Sequence, residues 1–221
     1  MGSIKIAPSI LSADFSRLAD EIQAVQRAGA DWLHLDVMDG HYVPNITIGP
    51  IVVEWIRKAT DLPLDVHLMI SDPDKYVPEF IKAGANWISV HPETCKDLKT
   101  SLRRIRELGA RASIAVNPDV DLDRVEGNLD DIDMILIMTV FPGFGGQAFI
   151  EEVLPKIARA RDLVRKKGLP ILIEADGGIK TDNISHVLRA GAEVIVSGSG
   201  IFKTPNYAET IGKMRKAAEG L

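Results

Sequence analysis

Three stretches of the chain read almost alike: Ala28-Gly29-Ala30-Asp31-Trp32, Ala83-Gly84-Ala85-Asn86-Trp87 and Ala190-Gly191-Ala192-Glu193-Val194, with Leu108-Gly109-Ala110-Arg111 as a looser copy. In each, a glycine able to take the left-handed conformation closes a helical pattern, and an apolar β-rich run begins within a few residues. A helix stop followed repeatedly by a strand start restricts the fold to serial βα units. The alternation of period places strands at residues 4–10, 32–38, 64–69, 87–91, 112–116, 134–140, 171–175 and 194–197. Helical patterns fill the gaps at 14–28, 51–59, 73–83, 96–108, 151–167, 181–190 and 207–219, with a short turn at 122–127. The first helix puts Phe15, Leu18, Ile22 and Val25 on one stripe, and Thr181 or Asp182 is the expected cap of the helix at 181–190. Eight such units in 221 residues without a linker predict one domain over 1–221, a single (β/α)8 barrel rather than an open doubly wound sheet.

A net charge of −5 with no basic run argues against nucleic acid or a membrane surface as partner. No stretch approaches the length of a membrane span, and the start has no basic segment leading into a long apolar one. Met1-Gly2-Ser3 does not open a myristoylation pattern, because residue 6 is isoleucine. Cys95 is the single cysteine, which rules out an intramolecular disulfide and fits a reducing compartment. The expectation is a cytoplasmic enzyme in which Cys95 is not a nucleophile, since no base is placed beside it.

Strand alternation puts His34, Asp36 and Met38 on one face and Leu33, Leu35 and Val37 on the other. Residues 65–69 repeat the logic with His67 and Met69. In a (β/α)8 barrel the carboxyl ends of the strands carry the active residues. His34, Asp36, His67 and Asp176 then form a mixed N/O set suited to one divalent ion, Zn²⁺, Mn²⁺, Fe²⁺ or Co²⁺. Two glycine-rich segments, Phe141-Pro142-Gly143-Phe144-Gly145-Gly146-Gln147 and Val196-Ser197-Gly198-Ser199-Gly200, offer backbone N–H groups unobstructed by side chains, which suits a phosphate. Neither is a Walker or dinucleotide fingerprint, so a phosphorylated small molecule is expected rather than a nucleotide.

Five motifs in order, Ala7-Pro8-Ser9-Ile10-Leu11-Ser12-Ala13-Asp14, His34-Leu35-Asp36-Val37-Met38-Asp39-Gly40, Asp65-Val66-His67-Leu68-Met69, Pro142-Gly143-Phe144-Gly145-Gly146-Gln147 and Asp176-Gly177-Gly178, resemble the ribulose-phosphate 3-epimerase family over essentially the whole chain. The resemblance implies a ketose-phosphate substrate, D-ribulose 5-phosphate, interconverted with D-xylulose 5-phosphate. It implies a metal on His34, Asp36, His67 and Asp176, with Asp36 and Asp176 as the two acid/base groups. It also implies substrate contacts from Ser9 and His67, phosphate contacts from Gly143, Phe144, Gly145, Gly146, Gly177, Gly178, Gly198 and Ser199, and a cap of Met38, Met69 and Met138 over the reacting carbons. A homo-oligomer, dimer or hexamer, is implied as well. Departures from the family pattern are Phe141 for asparagine, Ala175 for valine and Gly200 for alanine. Phe141 is the one that bears on substrate fit. A hexulose-phosphate 3-epimerase, acting for example on allulose 6-phosphate, and a non-catalytic sugar-phosphate-binding barrel are the alternatives. His41 and Tyr42 read as loop residues, His91 as a structural strand end, His186 as a helix-surface residue and Met134 as core packing.

Overall fold

The computed structural model describes residues 4–219; Met1-Gly2-Ser3 and the last two positions lie outside the described residues. Its strands are β1 (Lys5–Pro8), β2 (Leu33–Met38), β3 (Leu64–Met69), β4 (Trp87–Val90), β5 (Arg111–Val116), β6 (Met134–Met138), β7 (Leu172–Asp176) and β8 (Val194–Ser197). All neighbouring pairs are parallel, in the order β1-β8-β7-β6-β5-β4-β3-β2. A parallel bridge between Ser9 and His34 brings β1 against β2, so the sheet is a nearly closed (β/α)8 barrel.

The helices are α1 (Leu18–Arg27), α2 (Pro50–Ala59), α3 (Pro73–Lys82), α4 (Leu98–Glu107), α5 (Asp123–Glu126), α6 (Leu154–Lys167), α7 (Ile184–Ala190), α8 (Ser199–Phe202) and α9 (Tyr207–Lys216). The repeated glycines do what their spacing predicts: Gly29, Gly84 and Gly191 take φ of +94°, +114° and +114° where α1, α3 and α7 end. Outward strand residues such as Leu33, Leu35, Val37, Val66 and Leu68 pack against Ile22, Val25, Val53, Ile56 and Phe80 of the helices in the main core. Inside the barrel, Ala7, Trp32, Met134, Val194 and Val196 form a separate plug with Trp87 and Leu172, and the Trp32 and Trp87 rings stack at 4.9 Å. Met134 is therefore core, as expected.

Three local expectations are corrected. Phe15 is not on the buried stripe; it lies in a 3-10 turn (Phe15–Arg17) that Asp14 caps by accepting from the Ser16 N–H, and it is 47% exposed. The helical period begins only at Leu18. Neither Thr181 nor Asp182 caps α7, which starts one turn later with Asn183 at the cap position; the Asn183 carboxamide instead accepts from the Lys180 N–H and donates to Gly178 O. Finally, the glycine-rich segment after β8 winds into the short α8, too brief to leave a periodic pattern.

Candidate metal centre and anion pocket

Neighbouring strands bring the polar inward residues together because their registers match. Asp36 on β2 lies beside His67 on β3, and Met38 beside Met69. His34 Nε2 is 3.4 Å from Asp36 Oδ1 and 3.6 Å from Asp176 Oδ2, and His67 Nδ1 is 3.6 and 3.7 Å from the same two oxygens. All four side chains are buried, and one donor atom from each lies within 4.8 Å of every other. His34 Nε2 and His67 Nδ1 have no hydrogen-bond partner although both are buried. Buried polar atoms are normally paired. Two lone-pair nitrogens and two carboxylate oxygens at about 3.5 Å edges suit a cation with bonds of about 2.0–2.2 Å, so the residues fit a divalent ion.

Each histidine is oriented from behind. His34 Nδ1 stands 2.6 Å from Asp65 Oδ2, so the ring donates there and leaves Nε2 free. His67 Nε2 stands 2.8 Å from His91 Nε2. The Ser9 hydroxyl donates to Asp36 Oδ2 at 2.5 Å, which turns Oδ1 toward the histidines. Glu174 is buried beneath, with its Oε1 3.8 Å from His34 Nδ1. Asp65 and Glu174 escaped the sequence reading, though the signal was present: both fall two residues before a cluster member on the same strand face, at 65 and 67 and at 174 and 176.

Burial and neighbouring charges pull these groups in different directions. Burial opposes charge on His34, but the carboxylates of Asp65, Asp36 and Asp176 outweigh it and hold the ring well above its ordinary range. Burial likewise works against Asp36 ionising, yet His34 and His67 hold its carboxyl far below the usual carboxylate range. Asp176 goes the other way. Burial, against the pull of His34 and with the push of Asp36, raises it to about 6. Burial and the neighbouring Asp65 raise Glu174 well above the ordinary value. Burial and the His67 ring depress His91 well below its own.

Above the cluster opens a pocket whose lining includes Ser9, Asp36, Asp176 and the three methionines Met38, Met69 and Met138. The same lining takes in Gly143, Phe144, Gly145, Gly146, Gly177, Gly178, Gly198 and Ser199. His34 and His67 are fully buried beneath this surface and are not part of it. Close approach of backbone explains the glycines. At Gly177, φ is +122° and an added Cβ would stand 2.4 Å from Val140 Cγ2; at Gly198 it would stand 2.6 Å from Ser12 Oγ. Among the described residues, the N–H groups of Gly178, Gly198 and Ser199 donate to no protein acceptor. The 141–147 loop is braced from within by Gln147 Nε2, which donates to Phe141 O and Phe144 O, and from outside by Asn45 Nδ2, which donates to Gly143 O. The Phe141 side chain is half-exposed and is not part of the lining, whereas Phe144 is.

His41 is exposed beside its own loop aspartate, Asp39, and His186 is exposed on α7. Tyr42 tilts over His91 with ring centroids 4.9 Å apart. Cys95 is not among the clustered donor side chains, and burial pushes its thiol up to about 11. Among the described residues no helix is long and apolar enough to cross a membrane.

The model of the family described as "Ribulose-phosphate 3 epimerase family" matches residues 5–202. The ribulose-phosphate 3-epimerase of Synechocystis sp. is 56% identical over 217 residues, covering 97% of this chain and 94% of that protein. The ribulose-phosphate 3-epimerase of Bacillus subtilis is 50% identical over 213 residues, covering 96% and 98%. Among solved structures, KGPDC from Streptococcus mutans superposes with a TM-score of 0.73 at 14% identity over 98% of both chains. 3-Hexulose-6-phosphate synthase from Salmonella typhimurium does so with 0.71 at 15%, over 97% and 98%. At such identities these two structures share the fold alone.

Proposed function

The chain belongs to the ribulose-phosphate 3-epimerase family, and from that membership we propose that it is a metal-dependent isomerase, one domain over residues 1–221, that interconverts D-ribulose 5-phosphate and D-xylulose 5-phosphate. The observation that carries the reading is the pairing of Asp36 and Asp176 on one pocket surface, directly above two buried histidine nitrogens without partners.

Inversion at C3, next to the C2 carbonyl, needs a base on one face of the carbon and an acid on the other. The Asp36 and Asp176 carboxylates come from β2 and β7, so they reach the pocket from different sides of the barrel. One takes the C3 proton and leaves a planar enediolate; the other returns a proton to the opposite face. His34, Asp36, His67 and Asp176 would hold one divalent ion, which when bound supplies positive charge that acidifies the C3 hydrogen and offsets the charge of the enediolate. Which of Zn²⁺, Mn²⁺, Fe²⁺ or Co²⁺ serves is part of the test. Ser9 fixes Asp36 through its hydroxyl and lies at the pocket surface within reach of substrate. Met38, Met69 and Met138 cover the reacting carbons with apolar, non-acidic surface, which keeps stray proton donors away. The phosphate is received by the backbone of Gly143–Gly146, Gly177–Gly178 and Gly198–Ser199. The reading includes a cytoplasmic location and a homo-oligomer, the latter supported by the exposed apolar Ile46, Ile51 and Trp55.

The test is turnover of ribulose 5-phosphate in deuterated water before and after metal removal, with each of the four ions restored. Deuterium at C3 together with xylulose 5-phosphate, dependent on metal, is the expected result. A loaded protein that binds the sugar phosphate yet yields neither exchange nor epimer would overturn the reading.

A further inference from the structure

We propose that His91 is a positioning residue for the metal centre: by accepting a hydrogen bond from His67 Nε2–H it commits His67 to presenting Nδ1 as a ligand. The inference rests on the metal reading above and concerns a residue that touches neither the pocket nor the four donor side chains' shared point. His67 Nε2 and His91 Nε2 are 2.8 Å apart, and both rings are fully buried. Two nitrogens at that distance hold one proton between them. For His67 to offer a lone pair from Nδ1 toward Asp36 and Asp176, the proton of its neutral ring must be on Nε2. His91 must then accept, and its own proton is on Nδ1.

The surroundings of His91 favour that tautomer. Its Nδ1 has no hydrogen-bond partner, and the Glu93 Oε1 carboxylate stands 3.7 Å away, beyond hydrogen-bond distance but close enough to favour an N–H on this edge of the ring. Glu93 is held in place by the Tyr42 hydroxyl, which donates at 2.7 Å, and by Asn117 Nδ2, which donates at 2.8 Å to the same oxygen. The Tyr42 and His67 ring centroids stand 4.9 and 5.0 Å from that of His91, both rings tilted to it, so the buried imidazole has little freedom to turn. A nearby carboxylate thus biases a buried proton toward Nδ1, and that tautomer leaves Nε2 to orient the ligand. His34 is oriented by a carboxylate, Asp65, which accepts whatever the ring offers. His91 accepts only while its own proton stays on the Glu93 side, so this half of the site depends on the loop that carries Tyr42.

The experiment compares the unsubstituted protein with His91→Phe, which keeps a ring but cannot accept, and His91→Gln, whose amide oxygen takes the place of Nε2. Affinity for Zn²⁺ and Co²⁺ alone is read by competition with a chelator, and the tautomers are read from ¹⁵N shifts of labelled histidine. The expected result is a loss of metal affinity of about 10–100-fold in His91→Phe, most of it regained in His91→Gln, with His91 protonated on Nδ1 in the unsubstituted protein. Equal affinity in all three, equal loss in both variants, or a His91 proton on Nε2 would overturn the role of His91. If His91→Phe does not fold, the His91→Gln affinity and the ¹⁵N spectrum of the unsubstituted protein decide alone. An unsubstituted protein that binds neither ion would overturn the metal reading itself, and this inference with it.

Discussion

Asp36 meets the most demands of any single residue: one oxygen accepts from Ser9 and the other faces both histidines. Replacing Asp36 or Asp176 by Asn keeps the shape and removes the proton carrier. Turnover should fall at least about 10³-fold in each, with the circular dichroism spectrum unchanged. Near-normal turnover in both would end the two-base mechanism. Gly198→Ala should act differently, since its methyl would meet Ser12 Oγ at 2.6 Å at the phosphate end of the pocket. A rise in KM of about tenfold with a smaller change in kcat is expected, the signature of lost ground-state binding. Cys95, with its thiol raised to about 11 by burial, should react with thiol reagents at pH 8 about a hundredfold more slowly than a cysteine at 9, and turnover should survive the labelling. The four donor side chains were legible in the sequence because polar residues recur every second position on strands that end in glycine or methionine. The contact between His91 and His67 was not legible. In the sequence His91 reads as a structural strand end, and only the neighbouring strand shows that it comes within 2.8 Å of His67.

Strands and their trailing loops divide the work. On the proposed function, the strands position proton carriers and metal donors, while the loops after β6, β7 and β8, which line the pocket, present backbone to the phosphate. The order of elements was readable since left-handed glycines leave a mark whatever the tertiary contacts are. Ends were less readable: β1 and β4 stop at Pro8 and Val90, followed at once by the 3-10 turns Ile10–Ser12 and Pro92–Thr94, three-residue elements too short to leave a periodic pattern in the sequence. At the opposite end, Asp31 ties three elements together. It accepts from the Ile6 N–H of β1 at 2.8 Å and from Arg215 Nη2 of α9 at 2.7 Å, and it lies just after α1. Asp31→Ala leaves a strand N–H without its acceptor and should cost about 1–3 kcal/mol in urea unfolding. An unchanged midpoint would show that α9 docks without that contact.

As a whole molecule the barrel has an apolar plug at one end and a charged centre toward the other, where Asp65, Glu174, His34 and His67 are fully buried. Such a centre is stabilised by whatever occupies its donor set. A divalent ion at about a hundred times its dissociation constant adds about 2.7 kcal/mol, enough to raise Tm by about 5–10 °C in a chain of this size. A chelator should reverse the shift; a melt indifferent to both would count against the site. The tryptophan distribution has a separate consequence. Of the three tryptophans, Trp32 and Trp87 are stacked in the plug, while Trp55 on α2 is 65% exposed with the Lys58 ammonium 4.3 Å from its ring centroid. The protein therefore carries two optical reporters with distinct jurisdictions. A collisional quencher such as acrylamide reaches Trp55 in the native barrel and senses any subunit that comes to cover α2, whereas emission from the buried Trp32 stays shielded until the strands themselves part.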